Sequence, residues 1–377
     1  MNETETLNTL TLAAAAHFNP DMAVQLYRAA GSATAVIDNR RNIGDIISGC
    51  SRRIVEALAD VDAARRRAEG EVEYALRTGT EILCMGDEAY PWRLKDCPDA
   101  PLALFFRGTG PLNRRRIISI VGTRRCTAYG QDCVRRLAVG LKELCPDVLV
   151  VSGLAYGIDI CAHREALANG IDTMAVLAHG LDYLYPPRNK DTAREMLAHG
   201  GLLTEFFTHT NADKLNFLRR NRIVAGTADA TVVVESASHG GALVTARIAQ
   251  SYGRDVMAFP GRAGDEYSEG CNNLIRDNKA ALITSAADLV KALGWQDDAT
   301  LAQARRQGIE SQLFPELTAD EQAVADTLAK DGDLQVNTLS ARTGLPVGTL
   351  SAVMFTLEMK GVVRLLAGGM YHLIINP

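Results

Sequence analysis

Residues 148–163 read VLVVSGLAYGIDICAH, and this stretch decides the fold class. The four apolar residues at 148–151 do not alternate with polar ones, which is typical of a strand buried on both faces of a parallel sheet. Small residues then interrupt the strand, namely Ser152, Gly153 and Gly157. The apolar spacing after them predicts a helix that packs back on the sheet. Because loop N–H groups and a helix N-terminus both favour negative charge, this strand–loop–helix unit predicts an anion site.

Two similar units flank the first one. Upstream, residues 117–121 (IISIV) form a short apolar run that is followed by GTRR (122–125) and a helix predicted to start near Tyr129. Downstream, residues 231–235 (TVVVE) precede SASHGGALVT (236–245) and another predicted helix. Three such units predict an α/β domain with a Rossmann-like, mostly parallel sheet, whose loops gather at the carboxyl ends of the strands.

Six motifs occur in a fixed order along the chain. They are VGTRRCTAYG (121–130), SGLAYGID (152–159), HGLDYLYPPRN (179–189), FLRRNRIVAG (217–226), HGGALVTARIA (239–249) and NNLIRD (272–277). Together they resemble the bacterial DNA-processing protein A (DprA/Smf) family across residues 80–295. The resemblance implies a protein that binds single-stranded DNA, protects incoming DNA and helps load the RecA recombinase in natural transformation. It also implies a homodimer through the sheet domain. Neither a cofactor nor catalysis is expected.

The sequence departs from the family pattern at three positions. Thr123 stands where the family usually has serine, Leu218 where proline is common, and Asn278 where glycine is usual. These changes leave the basic residues in place, so they bear on loop geometry more than on function.

A basic segment carries the expected DNA chemistry. Residues 214–222 read KLNFLRRNR, with four basic residues, no acid and one aromatic. Cations can follow a single-stranded backbone, and an aromatic ring can stack a base for ~1–3 kcal/mol. By resemblance, Lys214 contacts phosphate and Phe217 stacks. The alternative is an amphipathic helix with Phe217 in the core.

The resemblance assigns further residues to the same site. Arg124 follows the first strand, where a guanidinium can bind a phosphate with two hydrogen bonds. The small loop residues allow close backbone approach to DNA, or they form ordinary tight turns. Three neighbouring residues, Arg220, Asn221 and Arg222, either bind DNA or brace the loops. The complete candidate set is Arg124, Ser152, Gly153, Gly157, Lys214, Phe217, Arg220, Asn221, Arg222, Ser238, Gly240, Gly241, Thr245 and Lys279.

No arrangement of residues predicts a catalytic or metal site. Asp159 and His163 stand four apart on one predicted helix, where they either act as an acid–base pair or orient the loops, with Asp159 as a helix cap. His179 and His239 lack metal-ligand spacing and are expected to hydrogen-bond within loops. The alternative function is a nucleotide-processing enzyme similar to the LOG phosphoribohydrolase family. Those proteins place a catalytic glutamate after a glycine-rich loop, whereas residues 236–254 contain no Asp or Glu.

Composition places the positive charge in the sheet domain. The net charge of the 377-residue chain is −5, which argues against a generally basic nucleic-acid binder. Residues 1–112 carry 12 Lys/Arg against 16 Asp/Glu, a net charge of −4. Residues 113–309 carry 24 against 21, a net charge of +3, and residues 310–377 carry 4 against 8, a net charge of −4.

The sequence also predicts the compartment. The first residues, MNETE, are acidic, and no apolar run approaches ~18 residues, so neither secretion nor a membrane span is expected. The eight cysteines form no CxxC pair, which argues against a zinc site or a disulfide framework. We therefore expect a protein of the reducing cytoplasm.

Four segments are expected. Residues 1–79 predict a small helical module of the SAM or helix-hairpin-helix type, in which Arg65, Arg66 and Arg67 form a solvated face paired with nearby glutamates. The sheet domain covers residues 80–294 and a linker covers 295–316. Residues 317–377 predict a winged helix, from three helices and a hairpin. Its third helix offers only Glu358 and Lys360 as charged residues, so we expect either protein contact or an evolutionary remnant rather than DNA groove recognition.

Overall fold

The computed structural model describes residues 3–47, 50–295, 317–366 and 368–374. In this part of the chain, the helices before the first strand are α1 (Glu3–Ala15), α2 (Pro20–Ala30), α3 (Ala33–Asp38), α4 (Ile43–Ile46), α5 (Arg52–Ala59) and α6 (Asp62–Thr78). Helix α2 begins at Pro20, because the Asn19 side chain accepts a hydrogen bond from Met22 N and proline suits the first helical position. It ends at Gly31, whose φ of 81° is left-handed.

Nine strands form one sheet. They are β1 (Glu81–Cys84), β2 (Ala103–Gly108), β3 (Ile117–Val121), β4 (Leu149–Ser152), β5 (Thr173–Val176), β6 (Gly200–Thr204), β7 (Ala230–Val233), β8 (Asp255–Ala258) and β9 (Ala281–Leu282). The helices between them are α7 (Trp92–Lys95), α8 (Ala128–Leu144), α9 (Ile158–Ala168), α10 (Lys190–Met196), α11 (Lys214–Gly226), α12 (Gly241–Ser251) and α13 (Glu269–Arg276). This confirms the predicted α/β class.

The strand order creates a switch point beside β3. The order in space is β1-β2-β6-β5-β4-β3-β7-β8-β9. Strands β6, β5, β4, β3 and β7 are parallel neighbours, whereas β1 and β2 are antiparallel additions at one edge. From β3 the chain moves outward through β4, β5 and β6, and then returns to β7 on the other side of β3. Ligands of such sheets bind at the carboxyl ends of the strands where the order reverses.

Both faces of the sheet are covered. On β5, Met174 and Val176 belong to one buried cluster, while Ala175 and the following Leu177 belong to another. All four side chains are at most 1% exposed. Burying a Val, Leu or Met side chain contributes about 1.5–3 kcal/mol, so the two apolar layers stabilise the central strands strongly. This arrangement explains why the central strands read as unbroken apolar runs.

The N-terminal helices belong to the same compact unit as most of the sheet. As predicted, Arg65 pairs with Glu69 at 3.4 Å on the surface of α6. The prediction of a wholly solvated face is wrong for Arg67 and Glu71, which pair with each other. Glu71 is only 1% exposed, because its carboxylate accepts a hydrogen bond from Thr208 N at 3.0 Å. Arg67 and Glu71 therefore tie α6 to the segment after β6.

The second compact unit contains the predicted winged helix. Its elements are α14 (Ala286–Ala292), α15 (Ala319–Asp331), β10 (Leu334–Gln335), α16 (Val336–Thr343), α17 (Val347–Met359), β11 (Val363–Leu366) and β12 (Met370–Leu373). The three strands pair antiparallel in the order β10-β12-β11. Thr318 and Glu321 form a capping box at the start of α15. The predicted linker lies outside the described residues from position 296 onward.

The third helix of the winged module, α17, presents apolar rather than basic side chains. Phe355 is 67% exposed and Met359 is 75% exposed. Lys360, which follows the helix, donates to the buried Glu321 carboxylate at 2.7 Å. Among the helices described above, none combines the length and apolar character that crossing a bilayer requires.

Candidate nucleic-acid interface

Three loops meet at the switch point, and α11 lies beside them. The loops cover residues 122–127, 153–157 and 234–240. A cleft of about 720 Å³ opens between them. Thr123 connects all three loops, because its N–H donates to Glu235 O at 2.7 Å and its carbonyl accepts from Ile158 N at 3.1 Å. The predicted convergence of the loops is therefore enforced by backbone hydrogen bonds.

The first loop presents two arginines to solvent. The Thr123 hydroxyl accepts a hydrogen bond from Arg125 N at 3.1 Å, which closes a tight turn. A threonine can make this turn as well as the serine that is usual in the family, since both supply the hydroxyl. Arg124 and Arg125 are exposed at the turn and line the cleft.

Gly157 is required by the approach of the second loop to the first. Its φ of 78° is left-handed, and a Cβ atom there would lie 2.1 Å from Thr123 O. Both the backbone conformation and the contact exclude a larger residue. Gly157 thus acts in loop packing, one of the two roles that the sequence predicts for the glycines.

A buried carboxylate that the sequence reasoning missed supports the first loop. Glu235, which is 4% exposed, accepts hydrogen bonds from Thr127 N at 2.9 Å and from the Thr127 hydroxyl at 2.6 Å. Thr127 is the N-cap of α8, so this interaction fixes where the loop ends and the helix begins. The sequence feature that could have identified Glu235 is its position as the one acidic residue at the end of the apolar run TVVVE.

Phe217 forms part of the cleft wall between two arginines. The Arg124 guanidinium carbon lies 4.7 Å from the centre of its ring, and that of Arg220 lies 5.8 Å away. The ring is half-buried and lines the cleft. Phe217 is therefore not a core residue, in contrast to the alternative that the sequence left open. Guanidinium groups near an aromatic ring are attracted by its negative face.

Lys214 stands at the start of α11 and also lines the cleft. The helix begins there because the Asp213 side chain accepts from Asn216 N at 2.8 Å. Lys214 is exposed, one turn before Phe217 on the same helix. The structure thus brings Arg124, Lys214 and Phe217 to one cleft.

Arg220 forms the floor of the cleft and is only 4% exposed. Its guanidinium donates to Gly153 O at 2.6 Å and to Val176 O, so it joins the ends of β4 and β5. A Cβ atom at Gly153 would lie 2.4 Å from this guanidinium, which explains the glycine. Burial lowers the pKa of Arg220 to about 10, and the nearby Asp159 carboxylate opposes this shift. These contacts assign Arg220 a bracing role.

Of the two roles predicted for Asp159 and His163, the contacts of Asp159 fit the loop-orienting one, because its carboxylate accepts backbone hydrogen bonds from Gly153 and Ala155 in the second loop. Burial raises the pKa of Asp159, and the strongest opposing influence is Arg220. His163 Nδ1 instead hydrogen-bonds the Thr173 hydroxyl at 2.7 Å, inside the sheet. His179 meets its expectation as a loop hydrogen-bonder, since its Nε2 accepts from Tyr185 N at 3.1 Å. His239 is exposed and lines the cleft.

The remaining candidates divide into those at the cleft and those away from it. Asn221, Gly240, Gly241 and Thr245 line it. Ser152 is fully buried, and its hydroxyl donates to Ile120 O at 2.6 Å. Arg222 binds Glu205 and donates to Asp99 O at 2.6 Å, which makes it a brace. Ser238 and Lys279 are not among the lining residues, and Lys279 Nζ lies 3.4 Å from Asp277.

The electrostatic character of the cleft favours an anionic ligand. Its charged lining residues are Arg124, Arg125, Lys214, Arg220 and Asp159, so four of the five are cations. The N-terminus of α12 also opens into it at Gly241, which adds partial positive charge. Within the described ranges, no group of three His, Cys, Asp or Glu residues could hold a metal ion.

The fold and the site define a Rossmann-like protein with a cationic, aromatic-walled cleft at its switch point and a winged helix at its C-terminal end. The family model for DNA recombination-mediator protein A matches residues 81–294, and the model for the DprA winged helix domain matches residues 310–369. The chain belongs to the DNA-processing protein A (DprA/Smf) family.

Individual relatives agree with this family. The DNA processing protein DprA of Streptococcus pneumoniae is 36% identical over 67% of this chain and 88% of its own length. Protein Smf of Escherichia coli is 33% identical over 82% of both chains. The X-ray structure of the S. pneumoniae protein is similar with a TM-score of 0.64 and 32% identity, over 74% of this chain and 95% of that one.

A further solved structure addresses the single-stranded DNA binding mode of DNA processing protein A from Helicobacter pylori. It is similar to this chain with a TM-score of 0.51 and 28% identity. The similarity covers 57% of this chain and 95% of the H. pylori chain.

Proposed function

We propose that this protein binds single-stranded DNA in the cleft at the switch point and acts as a recombination mediator. The observation that carries the proposal is the stack of Arg124 on Phe217 beside Lys214, in a cleft whose charged residues are mainly cations. Cations that follow a phosphate backbone, together with an aromatic ring for an unpaired base, are the features that single strands require. The single-stranded DNA binding of the H. pylori relative supports the same ligand.

The phosphates meet the first loop and the start of α11. Arg124 and Lys214 are exposed and carry no internal bracing role comparable to that of Arg220. Gly240 and Gly241 allow the DNA backbone to approach the N-terminus of α12, where N–H groups favour an anion. Asn221 and Thr245 complete the polar lining.

Family membership supports the biological role that we propose. The protein protects incoming single strands and helps load RecA onto them during natural transformation, and it does so as a homodimer through the sheet domain. We place it in the reducing cytoplasm, in agreement with eight cysteines that are all thiols. The division into a helical module (1–79), a sheet domain (80–294), a linker (295–316) and a winged helix (317–377) belongs to the same proposal.

The protein performs no catalysis in this proposal. Cleavage of a glycosidic bond would need an available carboxylate at the cleft, as in the LOG phosphoribohydrolase alternative. Asp159 is buried against Arg220, and both Glu235 oxygens hold Thr127. These carboxylates support loops, which favours binding over turnover. Incubation with nucleoside monophosphates and labelled DNA, with and without magnesium, should leave both unchanged.

Titration with oligo-dT and with a short duplex tests the binding proposal. We expect preferential binding of the single strand, with an affinity that falls as salt rises because phosphate contacts release counterions. Equal affinity for both forms would refute the single-strand assignment. Light scattering tests the homodimer, and RecA filament formation on single strands with and without this protein tests loading.

A further inference from the structure

An exposed tyrosine lies next to Phe217 at the edge of the cleft. The ring centres of Tyr185 and Phe217 are 6.1 Å apart, and their planes make an angle of 61°. Tyr185 is 41% exposed, although a tyrosine can bury much apolar surface. Phe217 lines the cleft and Tyr185 does not, so Tyr185 lies beside the cleft in contact with its aromatic wall.

The Tyr185 loop is held in place before any ligand arrives. Tyr185 N donates to Nε2 of His179, a residue that is 1% exposed and whose Nδ1 is 2.8 Å from Gly180 O. Tyr183 from the same loop accepts a hydrogen bond from Ala212 N at 2.6 Å, just before α11. The loop and the start of α11 are therefore connected, and the Tyr185 backbone has a fixed position relative to Phe217.

Two further exposed apolar side chains lie on α11 within two residues of Phe217. Leu215 and Leu218, on α11 beside Phe217, are 70% and 41% exposed. A cluster of exposed apolar side chains next to cations marks a binding surface. The faces of unpaired bases are flat and apolar, and the phosphates that accompany them suit Arg124 and Lys214 in the adjoining cleft.

We propose that Tyr185 is a second base-stacking residue, so that the site takes two adjacent unpaired bases, one on Phe217 and one on Tyr185. The proposal rests on the proposed single-stranded DNA function. Because the two ring planes differ by 61°, bases stacked on both rings cannot remain parallel to each other. The strand must therefore be unstacked at this step, which a duplex does not permit.

Substitutions at Tyr185 test this assignment. Tyr185→Ala should weaken oligo-dT binding by about 5- to 150-fold, the range expected for one base stacked on an aromatic ring, without changing the salt dependence. Tyr185→Phe keeps the ring and should bind like the wild type, whereas Tyr185→Leu keeps apolar volume and should weaken binding as alanine does. Leu76→Ala is the control for loss of an exposed apolar side chain, since Leu76 is 82% exposed on α6, outside the three loops and the lining of the cleft.

A double-mutant cycle separates direct stacking from positioning of Phe217. If Tyr185 stacks its own base, Tyr185→Ala should weaken binding further in a Phe217→Ala background. Its effect should vanish on an abasic oligonucleotide, which has phosphates but no bases. The proposal fails if Tyr185→Ala binds oligo-dT like the wild type, or if it has no effect in the Phe217→Ala background. If the wild-type protein does not bind oligo-dT at all, the proposed function itself is refuted.

Discussion

The side chain of Arg220 is a buried cation that holds the loops around the cleft. It lies under the cleft with its guanidinium committed to two carbonyl oxygens of neighbouring strand ends. Arg124 is exposed, and its guanidinium carbon lies 4.7 Å from the centre of the Phe217 ring. In the proposed function the two arginines therefore have different roles: Arg220 holds the loops and Arg124 meets phosphate. Substitution of Arg220 should accordingly reduce stability as well as DNA affinity.

His163 makes stability depend on pH. Burial lowers its pKa to about 3, with a smaller contribution from Arg220, so the native state excludes a proton that the unfolded chain takes up below about pH 6.5. The contribution of His163 to the free energy of unfolding is fully present above pH 6.5 and is lost as the pH falls toward 3. On acidification from pH 7.5 to pH 5.5, the free energy of unfolding should fall by about 1.4 kcal/mol because of this residue.

Urea unfolding of the wild type and of His163→Gln at these two pH values measures this loss. The variant should lose about 1.4 kcal/mol less than the wild type on acidification, whatever its stability at pH 7.5. Identical losses in the two proteins would show that His163 is not the group responsible.

At the scale of elements, the cleft depends on the contact between the first two loops. Gly157 is the N-cap of α9 and lies next to Thr123, whose carbonyl accepts a hydrogen bond from Ile158 N. The same threonine reaches the end of β7 through Glu235 O. A change at this contact therefore moves the loop that carries Arg124.

Gly157→Ala tests the loop contact. Alanine would adopt a left-handed conformation at a cost of about 1–2 kcal/mol and would also displace Thr123. We expect a lower melting temperature and a loss of oligo-dT affinity of about tenfold or more, because displaced binding groups lose their alignment. Gly79→Ala is the matched control, since Gly79 has a φ of 65° but no atom within 4 Å of an added Cβ. It should lower stability and leave DNA affinity unchanged; equal affinity losses in both variants would contradict the loop account.

The sequence predicts these elements well and their connections poorly. The strands and loop starts follow from local patterns, such as the apolar run at 148–151 and the small residues after it. The Glu235–Thr127 interaction joins residues 108 positions apart, and no local pattern reports it. Likewise Arg220 and Arg222 stand two residues apart on α11, and only tertiary packing reveals that each is buried against a different set of carbonyl groups.

At the scale of the whole molecule, charge is divided among the segments. Residues 113–309 have 24 Lys/Arg against 21 Asp/Glu, a net charge of +3, and they contain the cleft. Residues 310–377 have 4 against 8, a net charge of −4. The exposed Phe355 and Met359 give α17 an apolar surface where a groove-reading helix would present cations.

A chain that ends at Gln307 tests the role of the winged module. Because its net negative charge cannot neutralise phosphates, the shortened protein should bind oligo-dT within about twofold of the full chain. Light scattering on both proteins controls for a change in oligomeric state. An affinity loss of about tenfold at constant oligomeric state would show that the winged module contacts DNA.

The most direct test of the account is salt-dependent binding of oligo-dT by Arg124→Ala, Lys214→Ala and Phe217→Ala. Each cation substitution should weaken binding and reduce the log–log salt slope by roughly 0.7, as expected for one single-strand phosphate contact. Phe217→Ala should cost ~1–3 kcal/mol with little change in slope, because stacking releases no counterion. Melting temperatures close to the wild type should accompany all three results. Wild-type affinity and slope in all three variants, or unfolding of Phe217→Ala, would contradict a single-stranded DNA site in this cleft.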